Sequence, residues 1–341
     1  MRCLIIGTNI WPIPIQGYGG IEYLVYHLAC GLAKKEHQVT LVAPNGSQLP
    51  NEVDVIYSGI REEEELSWQR YRGRMEAGEF EVVIDASWQR WAVMSFVGKD
   101  NQIPIIQWHH TDPSVYSVPA PVQYNLWVGL SRDHASRLGK HFQLPVRWLW
   151  NGIDTDFYRS NGQPRGNRFL WISRYTPEKG ALDLITLAKK MRIGLDMYGD
   201  IEIIGDKSYL DRSMREADGL RVRANPGISR TETVQQYSTH KVLLQWYTWQ
   251  EPFGLSIVES MSCGCVPIVS RSGAMPELIK HGETGFLVDT IEEMEDIINA
   301  EAWKNINLDV MRKHVEDNFS LPIFIDHWEK LLLDVISGVR W

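Results

Sequence analysis

The stretch CLIIGTNIWPIPIQGYGGIEYLVYHLACGLAKKEHQVTLVA, residues 3–43, carries the pattern from which the fold follows. Its two ends, 3–7 and 39–43, are short continuous apolar runs, which are typical of strands buried on both faces of a parallel sheet. Between them, residues 20–35 place apolar side chains three and four positions apart, which predicts an amphipathic helix. The stretch therefore predicts a β-α-β unit with a glycine-containing loop after its first strand.

The same alternation continues along the whole chain. Further β-rich apolar runs occupy residues 82–86, 104–108, 126–130, 168–173, 201–205, 242–246 and 266–270. Amphipathic stretches at about 179–191 and 323–338 predict helices. The segment 151–167 is rich in Gly, Asn, Asp and Pro and lacks periodicity, so it predicts a linker. Two such arrays in series predict an α/β protein with two Rossmann-like, doubly wound parallel-sheet domains.

Composition limits the function classes. The 341 residues carry a net charge of −8, which argues against nucleic acid as a partner, because that needs a basic face. The acidic run Glu62–Glu65 is most simply a solvated helix face. Four cysteines do not suggest a disulfide framework. The N-terminus predicts a strand rather than a signal peptide, and we expect a cytoplasmic protein for which peripheral membrane contact stays open.

Two stretches could serve anionic ligands at the carboxyl ends of strands. In QGYGGIE (16–22), Gly19 and Gly20 would let backbone N–H groups approach a ligand, although by itself a plain tight turn is the better explanation. In SRYTPEKG (173–180), Arg174 follows a strand and Lys179 opens a helix, a combination that suits a diphosphate. Isolated solvated cations are the alternative.

The stretch EPFGLSIVES, residues 251–260, holds two carboxylates eight positions apart. Glu251 precedes a Pro-Phe-Gly turn, and Glu259 lies more than a turn into the helix that follows. Free N–H groups at the helix start can bind phosphate oxygens. The spacing thus suits an extended ligand with hydroxyls at both ends and phosphate between them, as in a nucleotide sugar. The apolar neighbours of Glu259 argue against an ordinary solvated helix face.

Together these stretches resemble the family 4 retaining glycosyltransferases of the GT-B fold. The resemblance covers most of the chain and is strongest at 251–289; GYGGIE, NGID at 151–154 and SRYTPEKG agree with it. It implies two domains that face a central cleft: an acceptor-binding domain at 1–160 and a nucleotide-sugar-binding domain at 161–322. A helix at about 323–341 is expected to pack back on the first domain.

The resemblance also implies roles for residues of the second domain. Glu251 would bind hydroxyls of the donor sugar, and Glu259 would bind the ribose hydroxyls. Arg174 and Lys179 would neutralise the leaving diphosphate. Phosphate would be held by the backbone of Phe253, Gly254 and Leu255.

In the first domain, the resemblance implies that Gly19 and Gly20 shape the loop beside the donor and the acceptor. The donor sugar would contact a histidine of the WHHTD stretch, for which His110 is the first candidate and His109 the alternative. The acceptor could stack on tryptophan, and the chain has 14 of them. The candidates in this domain are Trp88, Trp91 and Trp108.

Some positions depart from the family pattern. Ser173 stands where the family usually has glycine, and Ala274 and Met275 stand where a second glycine precedes Pro276-Glu277; we expect these changes to adjust packing and the donor fit. Asp154-Thr155-Asp156 resembles the Asp-X-Asp metal motif of the other large glycosyltransferase fold, but lies in the predicted linker. We expect no metal and no cofactor, because Arg174, Lys179 and a helix end supply the positive charge.

The implied activity is transfer, with retention, of a hexose-type sugar to an acceptor hydroxyl. The donor would be a UDP-, GDP- or ADP-sugar, and the acceptor a glycan, a lipid-linked molecule or a small molecule. Two alternatives from other classes stay open. A sugar-nucleotide epimerase on the same fold would consume donor without an acceptor, and a non-catalytic carbohydrate-binding protein would not consume it.

Overall fold

The computed structural model describes residues 1–15, 17, 19–96, 103–113, 126–200 and 206–341. The chain divides into two compact units. The N-terminal unit comprises Met1–Ile15, Gly19–Gly152 and Leu321–Trp341, and the C-terminal unit comprises Ile153–Ser320. The chain thus passes between the units at the start of the predicted linker and returns to the first unit for its last 21 residues.

Within the described residues, the sheet of the N-terminal unit has seven strands. Their bounds are β1 Arg2–Ile6, β2 Gln38–Pro44, β3 Val53–Ser58, β4 Val82–Asp85, β5 Ile105–Trp108, β6 Leu126–Gly129 and β7 Val146–Trp148. They lie in the order β3-β2-β1-β4-β5-β6-β7, and all neighbours are parallel. The helices that follow these strands are α1 Gly20–Lys34, α2 Glu64–Glu76, α3 Trp91–Phe96 and α4 Arg132–Phe142.

The C-terminal unit repeats this plan, with six strands in the part of it that the structure describes. They are β8 Phe169–Ile172, β9 Leu195–Tyr198, β10 Val222–Asn225, β11 Val242–Gln245, β12 Val266–Ser270 and β13 Phe286–Val288. Their order is β10-β9-β8-β11-β12-β13, again all parallel. The helices are α5 Ala181–Met191, α6 Lys207–Glu216, α7 Arg230–Thr239, α8 Leu255–Ser262, α9 Met275–Leu278, α10 Ile291–Asn299 and α11 Leu308–Phe319, with 3-10 turns at Pro177–Lys179 and Ala302–Asn305.

Both sheets have the doubly wound strand order, so each has one point at which the order reverses. In the N-terminal unit this switch point lies between β1 and β4, and in the C-terminal unit it lies between β8 and β11. Chain segments leave the two strands of a switch point in opposite directions, which opens a crevice at their carboxyl ends. The fold class predicted from the sequence is therefore confirmed: two Rossmann-like parallel sheets.

The last helix, α12 Leu321–Ile336, packs against α1 in the N-terminal unit. Gly31 allows the close approach, because a Cβ at this position would overlap the side chain of Ile325. At the end of the contact, Lys35 Nζ lies 2.6 Å from Glu329 Oε2, and Trp328 is fully buried. The helix that the sequence predicted at 323–338 thus belongs to the N-terminal unit.

The expectation of a solvated acidic run is wrong for Glu62 and Glu64, whereas Glu63 and Glu65 are exposed as expected. Glu64 is buried, and its carboxylate accepts hydrogen bonds from the backbone N–H groups of Trp88 and Gln89, at 2.8 and 2.5 Å. Glu62 accepts from Gly59 N–H at 2.6 Å. These carboxylates cap loops rather than face solvent, which a run of four identical residues cannot reveal.

The predicted strand at 201–205 lies outside the described residues. All four cysteines are buried and none forms a disulfide. Among the residues with described structure, no helix combines the length and apolar character that a membrane crossing requires.

Candidate functional site

The C-terminal unit gathers most of the predicted site residues at its switch point. Arg174 and Lys179 lie in the segment after β8, and Glu251 and Gly254 lie in the segment after β11. Because β8 and β11 are neighbours, with Leu170 paired to Leu243, the two segments leave the same edge of the sheet side by side. This is the place where open α/β sheets bind ligands.

Lys179 and Glu251 form a buried ion pair at this point. Lys179 Nζ lies 2.5 Å from Glu251 Oε2, and the two residues are 7% and 8% exposed. Burial lowers the pKa of the Lys179 ammonium, and the neighbouring Glu251 carboxylate opposes that change. The cation also faces the rings of Tyr247 and Trp249, whose centroids are 5.1 and 4.6 Å from Nζ. The pair is therefore a preorganised polar group inside an aromatic setting.

Two glycines explain why the chain can bring this pair together. Gly180 follows the 3-10 turn with φ of 65°, and a Cβ there would overlap the carbonyl oxygen of Trp246. Gly273 has φ of 55°, and a Cβ there would overlap the backbone of Glu251. Ala274 N–H donates to Glu251 C=O at 2.9 Å. The segment after β12 thus holds the backbone of Glu251 in place.

Arg174 is half-buried in the same segment as Lys179. Its guanidinium lies 3.9 Å from the Glu178 carboxylate, an ion pair that is too long for a hydrogen bond. Its positive charge contributes to the lowered pKa of Lys179, so the two cations are electrostatic neighbours. The structure therefore places both predicted diphosphate residues on one side of the switch point.

The helix start after Glu251 offers backbone donors. Phe253 is buried, and Gly254 takes a left-handed conformation with φ of 95° directly before α8 begins at Leu255. A Cβ at Gly254 would lie 2.8 Å from Met275 Cε, so a side chain is excluded by both backbone and packing. Among the described residues, no side chain caps α8. An uncapped helix start directs N–H groups and a partial positive charge outward, which suits phosphate.

Glu259 lies within α8 and belongs to a separate buried network. Its Oε2 accepts from Tyr237 Oη at 3.3 Å, and its Oε1 lies 3.8 Å from Arg230. Arg230 donates to Tyr158 Oη at 2.9 Å, and Tyr158 also hydrogen-bonds Glu259. Burial raises the pKa of the Glu259 carboxyl, and Arg230 and the two tyrosines oppose that change. The two predicted glutamates are thus held by different partners.

The N-terminal unit holds the remaining predicted residues. Gly19 has φ of 147° and precedes α1, whose first residue is Gly20. A Cβ at Gly19 would lie 2.5 Å from Ile15 Cδ1 and 2.9 Å from Glu22 Oε2. Glu22 is buried and accepts from Thr8 Oγ1 at 2.5 Å. The loop after β1 is therefore tightly built around a carboxylate that the sequence did not single out.

The two adjacent histidines after β5 differ in their surroundings. His109 is fully buried, stacks on Trp127 at 4.0 Å, and has Arg90 Nη2 2.7 Å from its Nδ1. His110 is only partly buried and lies 4.5 Å from the Trp108 ring. Burial, with the nearby His134 and Arg90, lowers the pKa of His110 to about 3, so the imidazole is neutral at pH 7. This geometry gives His109 a packing role and leaves His110 as the candidate for ligand contact.

The other sequence candidates fall into two groups. Trp108 is buried, whereas Trp88, in the loop after β4, and Trp91, the first residue of α3, are half-buried. Trp91 Nε1 donates to Gln89 Oε1 at 3.0 Å. In the predicted linker, Asp154 Oδ1 accepts from the N–H groups of the second and third residues after it, each at 3.0 Å. That carboxylate therefore shapes the turn.

Comparison with protein families agrees with this geometry. Residues 18–157 match the family described as Glycosyltransferase Family 4, and residues 153–303 match Glycosyl transferases group 1. The chain belongs to glycosyltransferase family 4. The first match covers most of the N-terminal unit and the second covers the segments that carry Arg174, Lys179, Glu251 and Glu259.

Relatives of this family 4 chain include proteins named as transferases. The Dictyostelium discoideum GDP-Man:Man(3)GlcNAc(2)-PP-Dol alpha-1,2-mannosyltransferase is 25% identical over 193 residues, which is 51% of this chain and 38% of the relative. The chain thus matches well under half the length of that protein.

Solved structures establish the GT-B fold of the family 4 chain. Sucrose-phosphate synthase from Thermosynechococcus elongatus has a TM-score of 0.81 at 16% identity, covering 99% of this chain and 100% of that one. Anabaena HepE, solved in complex with UDP-glucose, has a TM-score of 0.76 at 16% identity with the same coverage. The sequence-based assignment to this family and fold is confirmed.

Sequence reasoning about this family 4 chain missed the partners of its two glutamates. Tyr247 and Trp249 surround Lys179, while Tyr158, Tyr237 and Arg230 surround Glu259. Trp249 carried a usable signal, since it lies two residues before Glu251. Tyr247 lies four residues before Glu251 and offered a similar signal. Tyr158, Arg230 and Tyr237 lie far from Glu259 in sequence, so no spacing could have identified them.

Proposed function

We propose that the chain transfers a hexose-type sugar from a nucleoside diphosphate sugar to an acceptor hydroxyl, with retention of configuration. One observation carries the proposal. At the switch point of the C-terminal sheet, the buried Lys179–Glu251 pair is followed in the same loop by the uncapped start of α8. Cations, a carboxylate and free N–H groups at one sheet edge match the charges of a sugar diphosphate.

Each residue then has a role in the proposed donor site. Glu251 accepts hydrogen bonds from the sugar hydroxyls, and Glu259 accepts from the ribose hydroxyls. Lys179, Arg174 and the N–H groups of 253–255 hold the diphosphate. Since these groups already supply positive charge where the leaving group develops negative charge, the proposed reaction is independent of a metal ion and of any cofactor.

In the proposed reaction, the bond between the anomeric carbon and the diphosphate oxygen breaks first, and the sugar acquires oxocarbenium-ion character. The acceptor hydroxyl then forms a bond to the anomeric carbon from the face that the diphosphate leaves. The acceptor proton passes to the departing phosphate oxygen. Stabilising the leaving diphosphate lowers the barrier most, so Arg174 and Lys179 contribute to turnover rather than to donor affinity alone.

The N-terminal unit contributes the acceptor side in this proposal. Gly19 and Gly20 shape the loop after β1, and the neutral His110 is suited to hydrogen-bond a sugar hydroxyl. The name of the Dictyostelium relative includes GDP-mannose and a lipid-linked glycan, and HepE was solved with UDP-glucose. We therefore propose UDP- or GDP-sugars as first candidates before ADP-sugars, with a glycan, lipid-linked or small-molecule acceptor.

The experiment is thermal unfolding with UDP, GDP and ADP, followed by donor consumption with the matching sugar nucleotide. A ligand at 100 times its dissociation constant stabilises the native state by about 2.7 kcal/mol, a shift of several degrees. We expect one nucleoside diphosphate to raise the midpoint of the wild type but not of Glu259→Ala. The matched control, Glu292→Ala, removes an exposed glutamate of the same unit and keeps the shift.

The outcomes separate the alternatives. Nucleoside diphosphate that is released only when an acceptor is supplied supports transfer. Interconversion of the donor sugar without an acceptor identifies an epimerase instead. If no nucleotide shifts the midpoint but free sugars do, the chain is a carbohydrate-binding protein and the proposal fails.

A further inference from the structure

The site contains a residue, Trp249, that contacts both members of the buried ion pair. Its indole Nε1–H donates to Glu251 Oε2 at 3.0 Å. Its ring centroid lies 4.6 Å from Lys179 Nζ, closer than that of Tyr247 at 5.1 Å. A tryptophan is suited to this position, because it combines an N–H donor for the carboxylate with an electron-rich face for the ammonium.

The two contacts involve only one of the two carboxylate oxygens of Glu251. Lys179 Nζ and Trp249 Nε1 both bind Oε2. Across the residues that the structure describes, no donor to Oε1 is found. An ionised carboxylate has about four acceptor positions on its two oxygens, so Oε1 keeps its capacity to accept hydrogen bonds from a ligand. The backbone of Glu251 is held by Ala274 N–H, so its side chain is the part that needs orientation.

We infer that Trp249 is a positioning residue: its indole N–H and ring fix the Glu251–Lys179 pair so that Glu251 Oε1 meets the hydroxyls of the donor sugar. The inference rests on the proposed function of this site and adds a residue to it. Without the indole N–H, only Lys179 orients the carboxylate. Without the ring, the ammonium loses an attractive face and gains freedom to move. Loss of the N–H affects the sugar, which Glu251 binds, whereas loss of the ring also affects the diphosphate, which Lys179 holds in the proposed site.

The test compares Trp249→Phe, which keeps a ring and loses the N–H, with Trp249→Leu, which loses both. Titration calorimetry measures the affinities for UDP and UDP-glucose, and for GDP and GDP-mannose. We expect the affinity for the nucleoside diphosphate to stay within twofold of wild type in Trp249→Phe. The extra affinity contributed by the sugar falls about tenfold, the size expected for one hydrogen bond to a charged group. Trp249→Leu loses more.

The matched control is Trp341→Phe. Trp341 Nε1 donates to Trp127 C=O at 3.0 Å in the N-terminal unit, so the same substitution removes an indole hydrogen bond of the same length away from the site. The control keeps wild-type affinities. A second test combines Trp249→Phe with Glu251→Gln. Because Trp249 acts through Glu251, the double variant loses no more sugar-dependent affinity than Glu251→Gln alone.

Several results overturn the inference. A Trp249→Phe variant with wild-type affinity for the sugar nucleotide shows that the N–H does not orient Glu251. If Trp249→Phe lowers the affinities for the nucleoside diphosphate and the sugar nucleotide equally, Trp249 has a general structural role. The same conclusion follows if the affinity losses of Trp249→Phe and Glu251→Gln add strictly in the double variant. These results leave the proposed function intact, whereas a wild type that binds no nucleotide overturns the proposed function and this inference together.

Discussion

At the scale of single residues, the Lys179–Glu251 pair serves the proposed donor site and also affects the stability of the fold. Two opposite charges that are both more than nine-tenths buried stabilise each other only while both are present. Removing one leaves an unpaired charge in a poorly solvated place, which costs more than the net worth of the pair. The site therefore depends on both residues for folding as well as for ligand binding.

We predict that Lys179→Met lowers the free energy of unfolding by about 3–5 kcal/mol, because it leaves the Glu251 carboxylate uncompensated. Adding Glu251→Gln to that variant restores part of the loss, because the neutral amide needs no cation. Urea unfolding of wild type, single and double variants measures both effects. The control is Lys189→Met, which breaks an exposed 2.9 Å pair with Glu216 and costs less than about 1 kcal/mol. Equal losses for the two lysines would show that the buried pair is effectively solvated.

At the scale of secondary-structure elements, a second charged cluster joins three parts of the C-terminal sheet. Asp196 lies within β9, Arg168 precedes β8, and His240 follows α7. Asp196 is 2.8 Å from Arg168 and 3.1 Å from His240 Nε2. Burial alone would raise the pKa of the Asp196 carboxyl, but the hydrogen bonds from His240 and Arg168 outweigh it and lower that pKa to about 2.

This pKa predicts a pH-dependent contribution to stability. The ordinary value of 3.8 applies to the unfolded chain, so the carboxylate stabilises the fold above about pH 4 and loses that effect as the pH falls toward 2. Asp196→Asn should lower the free energy of unfolding by about 2 kcal/mol at pH 7 and by much less near pH 2. Urea unfolding across this pH range measures the difference. Asp289→Asn, at an exposed pair with Arg271, should show little change at either pH. If Asp196→Asn lowers the free energy of unfolding equally at every pH, the lowered pKa of Asp196 is contradicted.

The strands that sequence reasoning missed also have an explanation at this scale. β3, β7, β10 and β13 are the edge strands of their sheets. β3, β7 and β10 include exposed or half-buried residues and so produce no continuous apolar run, whereas β13 is fully buried but only three residues long. The remaining one, β9, is central but carries Asp196, whose charge is matched only through Arg168 and His240. Pattern alone therefore missed strands that are short, partly exposed or interrupted by a charged residue.

At the scale of the whole molecule, the end of the chain stabilises its beginning. Trp328 of α12 is fully buried in the N-terminal unit and lies 4.8 Å from the Trp108 ring of β5. Phe324 lies 5.9 Å from the same ring. The N-terminal unit therefore folds completely only when residues more than 300 positions from its first strand are present.

We predict that Trp328→Ala destabilises the N-terminal unit by about 3–5 kcal/mol, because it leaves a cavity beside Trp108. Hydrogen exchange should quicken in α1, β5 and α12, while α5 and α8 of the C-terminal unit keep their protection. Leu333→Ala, which truncates a half-exposed side chain of the same helix, should leave exchange nearly unchanged. Equal loss of protection in both units would show that they unfold as one.

The two doubly wound units and the family could be predicted from the amino-acid sequence, because buried parallel strands need continuous apolar runs and the Glu251–Glu259 stretch has a specific spacing. The sequence also indicated which charged residues meet at the switch point, since strand ends of one sheet share an edge. The partners that hold those residues become visible only in the folded structure. Trp249, Arg230 and Tyr158 act through contacts that the fold creates, and His109 and His110 are distinguished by their burial and their ring partners. Packing decides which side chains become neighbours in space, and the local sequence does not show which residues these are.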